Sequence, residues 1–269
     1  MTILDKIIAQ KHLEIAERKA TISTKILEAH PNFSRKTISL KEILMKTPPS
    51  GGWGVIAEFK RKSPSKGIIN DKLTVFEVTK GYAEAGAAGL SVLTDEVFFG
   101  GSSEDLMKAR AANPETPILR KDFIIDEYQI LEASAFGADV ILLIAANLTP
   151  KKVKSLAKFA KNLNLEVLLE IHDKHELETA LCEDVDIVGV NNRNLKNFAE
   201  QNVNASLELA DLISKNFVKI SESCISKPET IRQLQALGYK GFLIGETFMK
   251  TENSGKALAE FIKNIEKIA

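Results

Sequence analysis

From residue 53 onward, short apolar runs alternate with longer segments in which apolar residues recur at every third or fourth position. The runs predict strands and the longer segments predict helices, because side chains repeat every two residues in a strand and about every 3.6 in a helix. The predicted strands cover 53–60, 89–94, 117–122, 139–145, 165–171, 186–191, 217–221 and 241–245. The helical patterns between them cover 74–85, 104–112, 127–136, 150–163, 174–181, 203–213 and 228–237. This rhythm favours a (β/α)8 TIM barrel, although an open doubly wound sheet has the same rhythm.

Glycines support the predicted boundaries between helices and strands. Gly86, Gly137 and Gly238 each follow a helical pattern and stand shortly before a strand. A helix commonly ends in a residue with positive φ, which glycine adopts without strain. These glycines therefore support the repeating strand–helix unit and carry no chemistry.

An N-terminal segment, residues 1–48, precedes the first predicted strand. A helical pattern begins at Thr2 and carries Ile3, Leu4, Ile7 and Ile8, and a second pattern at 40–45 precedes a turn cluster at 48–52. We expect a helical extension over 1–48 and a barrel over 49–269, both within a single domain. The apolar face of the extension must be covered, and lying across the barrel mouth would cover it. Removing the extension should then impair ligand binding and turnover more than the barrel fold.

Composition and charge narrow the class of partner. The 36 Lys and Arg balance 36 Asp and Glu, so no overall field attracts nucleic acid or a membrane. No long uncharged apolar run appears, so neither a signal peptide nor a membrane span is expected, and the cytoplasm is the predicted location. Cys182, Cys224 and the four histidines lack metal-ligand spacing, so no metal or organic cofactor is expected. A small molecule is the default partner; the oligomeric state stays open, with a monomer favoured.

Polar side chains stand at the carboxyl ends of the apolar strands. They are Glu58 and Lys60 after the first strand, Lys121 and Asp122 after the third, Glu170 after the fifth, Asn191 and Arg193 after the sixth, and Glu222 and Ser223 after the seventh. Taken singly, each has a structural explanation as a solvated edge, a surface ion pair, a helix cap or a turn. Taken together, they predict one active site at the barrel mouth, because buried charges are costly unless they are paired or used.

Two turns predict a phosphate site. The seventh strand runs into Ser221-Glu222-Ser223-Cys224, and the eighth runs into Ile244-Gly245-Glu246-Thr247. Loops at these two positions bind phosphate in many barrels through backbone N–H groups. A phosphorylated substrate is therefore expected, with Ser63 and Lys60 closing over it from the first loop.

These motifs resemble the indole-3-glycerol phosphate synthase family. Glu58-Phe59-Lys60 followed by Ser63-Pro64-Ser65 matches its first-strand signature, and Leu119-Arg120-Lys121-Asp122-Phe123 matches its third-strand motif. The later strand ends at 168–170, 189–195, 221–223 and 243–246 match as well, and the extension shares Lys11 and Glu14. The resemblance runs end to end and implies a monofunctional enzyme of tryptophan biosynthesis.

The resemblance implies a reaction and a set of roles. The substrate would be 1-(2-carboxyphenylamino)-1-deoxyribulose 5-phosphate, which a carbon–carbon carboxy-lyase converts to indole-3-glycerol phosphate with loss of carbon dioxide and water. Lys121 would donate a proton to the ketone oxygen, and Glu170 would act as the base in dehydration. The other implied roles are substrate carboxylate binding by Lys60, orientation of Lys121 and the intermediate by Glu58 and Asn191, sugar binding by Glu222, electrostatic support by Arg193, and substrate contact by Phe123. Phosphate would bind Ser63, Ser223 and Gly245 with the backbone of Cys224 and Thr247.

Two positions depart from the family pattern. Cys224 stands where glycine is common, and Thr247 stands where serine is usual. If the loop needs positive φ at Cys224, the substitution costs about 1 kcal/mol or more. Phosphate affinity is the property this would affect.

Two other functions fit parts of the pattern. A phosphoribosyl isomerase barrel would be expected to use a Cys/Asp or paired Asp constellation in place of Lys121 with Glu170. A non-catalytic barrel kept for interaction would not need the full polar set. The complete set therefore favours the synthase.

Overall fold

The structure is a computed structural model that describes residues 2–46, 52–193 and 202–268. Its strands are β1 (Val55–Phe59), β2 (Lys62–Ser63), β3 (Gly67–Ile68), β4 (Gly89–Leu93), β5 (Ile118–Lys121), β6 (Val140–Ile144), β7 (Glu166–Ile171), β8 (Ile187–Asn191), β9 (Val218–Glu222) and β10 (Gly241–Ile244). Its helices are α1 (Ile3–Thr21), α2 (Thr24–Glu28), α3 (Leu40–Lys46), α4 (Val75–Glu84), α5 (Glu96–Phe99), α6 (Ser103–Ala112), α7 (Glu127–Ala135), α8 (Pro150–Asn162), α9 (Lys174–Ala180), α10 (Asn204–Leu209), α11 (Pro228–Ala236), α12 (Glu246–Met249) and α13 (Ser254–Lys267). Residues 48–51 of the predicted turn cluster and residues 194–195 of the strand-end motif at 189–195 lie outside the described residues.

Eight of the described strands close into a parallel barrel in the order β1-β10-β9-β8-β7-β6-β5-β4. The seam closes at β1, where Ile56 pairs with Gly89 of β4 on one side and with Leu243 of β10 on the other. The predicted (β/α)8 barrel is therefore confirmed, and the open doubly wound sheet is excluded.

The apolar strands fill two layers, because alternate side chains point to opposite faces. Val55 and Ala57 point outward and join the large cluster beneath the helices. Ile56 points inward and joins Leu119 and Leu168 in a separate cluster inside the barrel. Parallel strands that are covered on both faces read as continuous apolar runs, which explains why the sequence identified all eight.

The extension reaches both ends of the barrel. Leu40 and Leu44 of α3 are fully buried and pack into the interior cluster with Ile220 at the amino-terminal end. The start of α1, with Ile3, Leu4 and Ile7, lies at the mouth. The expectation that the extension simply covers the mouth is therefore incomplete, and a chain starting near residue 48 would also lose this interior packing.

The start of α1 follows from its sequence. The Thr2 side chain accepts a hydrogen bond from the Asp5 backbone N–H, and Asp5 accepts one from the Thr2 N–H. This reciprocal capping satisfies two backbone donors at the helix end. Further along, the Tyr128 hydroxyl donates to the carbonyl oxygens of Arg18 and Ile22, which joins α1 to α7.

Several smaller predictions have clear outcomes. Gly86, Gly137 and Gly238 have φ of 91°, 92° and 86°, as a helix end requires. The sequence pattern does not predict α2, α5, α12, α13 or the β2–β3 hairpin, and α10 ends at Leu209 rather than near 213. Among the described helices, none has the length and apolar character to cross a membrane.

Candidate active site

A cavity of about 360 Å³ opens at the carboxyl ends of the barrel strands. All thirteen predicted site residues line it: Glu58, Lys60, Ser63, Lys121, Phe123, Glu170, Asn191, Arg193, Glu222, Ser223, Cys224, Gly245 and Thr247. Its volume falls within the range of small-molecule sites. The topology brings these residues together because the carboxyl ends of parallel barrel strands meet at one mouth.

Lys121 lies at the centre of the charged groups. Its Nζ atom is 2.7 Å from Oε2 of Glu170 and 2.9 Å from Oε2 of Glu222. Its side chain is only 13% exposed, and both glutamates are more deeply buried. Lys121 makes no salt bridge with Asp122 in the described structure, so the alternative of a surface ion pair between these neighbours is wrong.

The charges around Lys121 set its protonation state. Burial alone would lower the pKa of its ammonium, but Glu170 and Glu222 outweigh burial and raise that pKa above the ordinary lysine value. Burial likewise opposes ionisation of Glu170, but Lys121 lowers the pKa of that carboxyl. The site therefore holds a protonated Lys121 against an ionised Glu170 around neutral pH.

Glu222 has a different environment. Burial and the nearby Glu170 carboxylate raise its pKa. No described residue hydrogen-bonds its Oε1 atom, although the atom is buried. A Cβ atom on Gly189 would stand 2.1 Å from Oε1, so glycine is required there to leave room for this carboxylate.

Glu58 and Lys60 form a second charged pair at the end of β1. Lys60 Nζ is 2.5 Å from Oε1 of Glu58, which confirms that the two side chains share a face. Gly245 closes over this pair, because a Cβ atom at that position would lie 2.5 Å from the same Glu58 oxygen. Gly245 therefore permits a close approach between β10 and Glu58.

Asn191 and His172 complete the contacts of Glu170. Asn191 Nδ2 donates to Oε1 of Glu170 at 3.0 Å. His172 Nε2 lies 3.8 Å from the same oxygen, and its Nδ1 lies 3.2 Å from Oε2 of Glu176. Sequence reasoning missed His172, although it stands two residues after Glu170 and so shares its face, as Lys60 does with Glu58.

The loops of the predicted phosphate site lie on one side of the cavity. Ser223 and Cys224 both adopt the left-handed region, with φ of 66° and 59°. The loop thus has the positive φ at Cys224 that glycine would adopt more easily. The Thr247 hydroxyl donates to the Ile225 carbonyl oxygen at 3.0 Å.

Arg193 lies nearer to these loops than was expected. Its Nη1 atom donates to the Ser65 hydroxyl at 2.7 Å, and Nη2 is 3.9 Å from Oε2 of Glu246. Burial raises the pKa of the Cys224 thiol, and the Arg193 charge opposes that rise. None of the salt bridges in the described structure joins Arg193 to Glu58, Glu170 or Glu222, so its contacts do not support the predicted role beside those carboxylates.

The cavity also has an apolar side. Phe99 and Phe123 line it with ring centroids 5.9 Å apart, and Ile3, Leu4 and Ile7 approach from α1. Phe99 was not predicted, because the short helix α5 that carries it has no periodic signal. Among the described residues, no group of three or more His, Cys, Asp or Glu side chains could hold a metal ion.

Two solved structures superpose on most of this chain. A 3-hexulose-6-phosphate synthase from Salmonella typhimurium superposes with a TM-score of 0.61 at 12% identity, over 79% of this chain and 99% of that chain. A mutant tryptophan synthase alpha-subunit from Pyrococcus furiosus superposes with a TM-score of 0.60 at 15% identity, over 80% of this chain and 98% of that chain. At these identities, the likeness supports the fold alone.

Sequence comparison is more specific. The family model for indole-3-glycerol phosphate synthase matches residues 4–261. An indole-3-glycerol phosphate synthase from Bacteroides thetaiotaomicron is 47% identical over 264 residues, which cover 98% of this chain and 99% of that protein. One from Salinibacter ruber is 41% identical over 270 residues, which cover 100% of this chain and 98% of that protein. The chain therefore belongs to the indole-3-glycerol phosphate synthase family, the enzymes that form this intermediate in tryptophan biosynthesis.

Proposed function

We propose that the chain is a carboxy-lyase that converts 1-(2-carboxyphenylamino)-1-deoxyribulose 5-phosphate to indole-3-glycerol phosphate. The observation that carries the assignment of roles is the Lys121 ammonium, held 2.7 Å from Glu170 and 2.9 Å from Glu222 inside the cavity. An ammonium and a carboxylate in contact supply the acid and the base that ring closure and dehydration need.

In the first step, Lys121 acts as the acid. The aromatic carbon that bears the substrate carboxylate bonds to the ketone carbon, and the ketone oxygen takes a proton from Nζ. The raised pKa of Lys121 keeps it protonated in the free enzyme but also weakens it as an acid. A substrate that displaces one of its carboxylate partners would lower that pKa and favour proton transfer.

In the later steps, carbon dioxide leaves from the same aromatic carbon and its bonding electrons restore the aromatic ring. The new hydroxyl then takes a proton from the Lys60 ammonium and leaves as water, while a base removes a ring proton. Glu170 is the proposed base. Its pKa is low in the free enzyme because of the Lys121 charge. When Lys121 gives up its proton, that charge disappears and Glu170 becomes more basic. Proton donation by Lys121 in ring closure thus raises the basicity of Glu170 for the dehydration step.

The remaining polar residues each bind a different group of the substrate or orient another side chain. Lys60 binds the substrate carboxylate. Glu58 holds the Lys60 ammonium in place, with 2.5 Å between Oε1 of Glu58 and Nζ of Lys60 in the free site. Glu222, whose Oε2 atom contacts Lys121 at 2.9 Å, is the proposed partner of the sugar hydroxyls. Asn191 orients Glu170 by its hydrogen bond of 3.0 Å.

The phosphate is assigned to the loops after β9 and β10, with Ser63 from the loop after β1. Ser223, Cys224, Gly245 and Thr247 all line this side of the cavity, where their backbone N–H groups would bind the phosphate. Arg193, which contacts Ser65 of the first loop, adds positive charge on the same side. A cytoplasmic location and a monomeric state stay predictions from the sequence.

One assay of turnover tests this proposal. The chain is mixed with the carboxyphenylamino substrate, and the appearance of indole fluorescence is recorded. We expect turnover without an added metal or cofactor, and we expect K121A to lose about 10²-fold or more in rate. K174A, which removes an exposed lysine of α9, is the control with wild-type activity. A folded K121A enzyme with more than about a tenth of the wild-type rate would contradict the role of Lys121.

A further inference from the structure

A fully buried lysine of the N-terminal extension lies beside the active site without facing the cavity. The Lys11 side chain has 0% exposure, and its Nζ atom contacts three carboxylates: Glu14 at 2.8 Å, Asp95 at 2.9 Å and Asp122 at 3.0 Å. Burial would lower the pKa of Lys11, but Asp122 and Asp95 reverse the effect and raise it. The Lys11 ammonium donates a hydrogen bond to Glu14 and lies within salt-bridge distance of Asp95 and Asp122.

One of these carboxylates belongs to the residue after Lys121. Asp122 accepts from the backbone N–H of Phe123 at 2.9 Å and from the Thr94 hydroxyl at 2.6 Å, and Arg120 pairs with it at 3.0 Å. Lys121 points into the cavity towards Glu170 and Glu222. Asp122 points away from these glutamates and contacts Lys11. Lys11 therefore holds the end of β5 on the side opposite the reacting groups.

The second carboxylate, Asp95, holds the segment that carries the aromatic side of the cavity. Oδ1 of Asp95 accepts from the backbone N–H groups of Phe98 and Phe99 at 2.8 and 3.2 Å, and so caps α5. Its other oxygen, Oδ2, meets Lys11. Phe99 and Phe123 stand against one another in the cavity wall. Lys11 thus links the peptide segments that carry Lys121, Phe123 and Phe99.

We propose that Lys11 is a positioning residue for the reaction. It touches no substrate and acts through Asp95 and Asp122, which set the place of the proton donor and of the aromatic wall. This inference rests on the proposed role of Lys121. The physical reason is electrostatic: without the ammonium, Asp95 and Asp122 would be two buried carboxylates facing one gap, and their repulsion would move both strand ends apart. Displacement of reacting groups by about 1 Å costs about 10²-fold in rate.

The test compares three variants in steady-state kinetics with measurement of the thermal midpoint. K11M removes the ammonium, and K11M/D95N also removes one of the two opposed charges. K19M is the matched control, since Lys19 lies on the same helix and its exposed side chain pairs with Asp126. All assays use the full chain well below the lowest midpoint.

We expect K11M to lower kcat about tenfold or more, and we expect K11M/D95N to recover a large part of that loss. K19M should stay within about twofold of wild type, as exposed pairs contribute little. A K11M enzyme with a lower midpoint but wild-type kcat and KM would show a purely structural role and overturn the proposal. If K11M does not fold, D95N alone replaces it, and unchanged kcat and KM in D95N would overturn the proposal in the same way.

Failure of this inference is distinct from failure of the proposed function. If wild type does not turn over the substrate, the proposed function fails. If wild type is active and the variants match it, only the role of Lys11 fails. A crystal structure of K11M provides a readout without activity, because unchanged positions of Lys121 and Phe99 would also refute the positioning role.

Discussion

Lys121 reaches Glu170 across an intervening strand: the two residues lie at the ends of β5 and β7, and their Nζ and Oε2 atoms are 2.7 Å apart. Because the strand between them ends in the apolar Ile144, no charge separates the pair. The proton donor and the proton acceptor thus share one buried contact. This relationship leads to the first prediction.

We expect E170Q to lower kcat about 10²-fold or more, because the amide cannot accept the ring proton. KM should change much less, since the amide keeps the size of the carboxylate and its contact with Asn191. Steady-state kinetics with the carboxyphenylamino substrate checks this, with E178Q on α9 as the exposed control. If E170Q raised only KM, Glu170 would be a binding residue.

The second prediction concerns His172 and pH. Burial would lower the pKa of its imidazole, but the hydrogen bond to Glu176 and the Glu170 charge raise it above 6.5. Below that pKa, the imidazolium makes Glu170 a weaker base, so kcat should rise as pH increases through a value above 6.5. In H172Q the rise should move to lower pH. A pH profile of kcat measures this, and an unshifted profile would assign the rise to another group.

The third prediction concerns acid stability. The pKa of Asp122 lies well below its ordinary 3.8. Burial would raise this pKa, but the charges of Lys11 and Arg120 outweigh burial and lower it. A carboxyl with a lowered folded pKa stabilises the protein above 3.8, and this contribution is lost as pH falls below 3.8 towards the folded value. D122N should cost about 3–5 kcal/mol at pH 7, as expected when one partner of a buried pair is removed.

Urea unfolding at pH 7 and in steps below pH 4 tests this prediction. The stability of D122N should depend less steeply on pH than that of wild type in the acid range. Equal acid slopes for the two proteins would assign the acid loss to other carboxylates.

The fourth prediction concerns the left-handed Cys224. With φ of 59°, C224G should relieve strain of about 1 kcal/mol, less the entropy that glycine loses on folding. N164G is the matched control, because Asn164 has φ of 58° and asparagine tolerates this region better than cysteine. Unfolding midpoints and inorganic phosphate affinity are compared. A larger gain for N164G than for C224G would contradict strain at Cys224.

The fifth prediction separates the two ends of the extension. The pair I3A/L4A at the mouth should raise KM and leave the thermal midpoint almost unchanged, since both side chains are only partly buried. L44A at the opposite end should cost about 2–5 kcal/mol of stability and leave KM unchanged, because Leu44 is fully buried. The reverse pattern would refute this division.

Sequence reasoning identified the strands and most of the site for related reasons. Continuous apolar runs mark strands buried on both faces, and Lys121, Glu170 and Glu222 were found because a polar residue that ends such a run has few explanations. The contact of Lys11 with Asp95 could not be predicted in this way, because it joins residues far apart in sequence through tertiary packing. Phe99 was missed because a single helical turn has no period to detect.

The interior contacts of α3 also bear on the order in which the chain folds. Leu40 and Leu44 are synthesised early, but their partners in the interior cluster include Ile220 and Leu243, near the other end of the chain. During translation, these two leucines cannot reach their final positions until almost the whole barrel has left the ribosome. Such distant contacts slow folding and keep apolar side chains exposed meanwhile. The nascent chain is therefore expected to need its last strand before α3 can reach its final position.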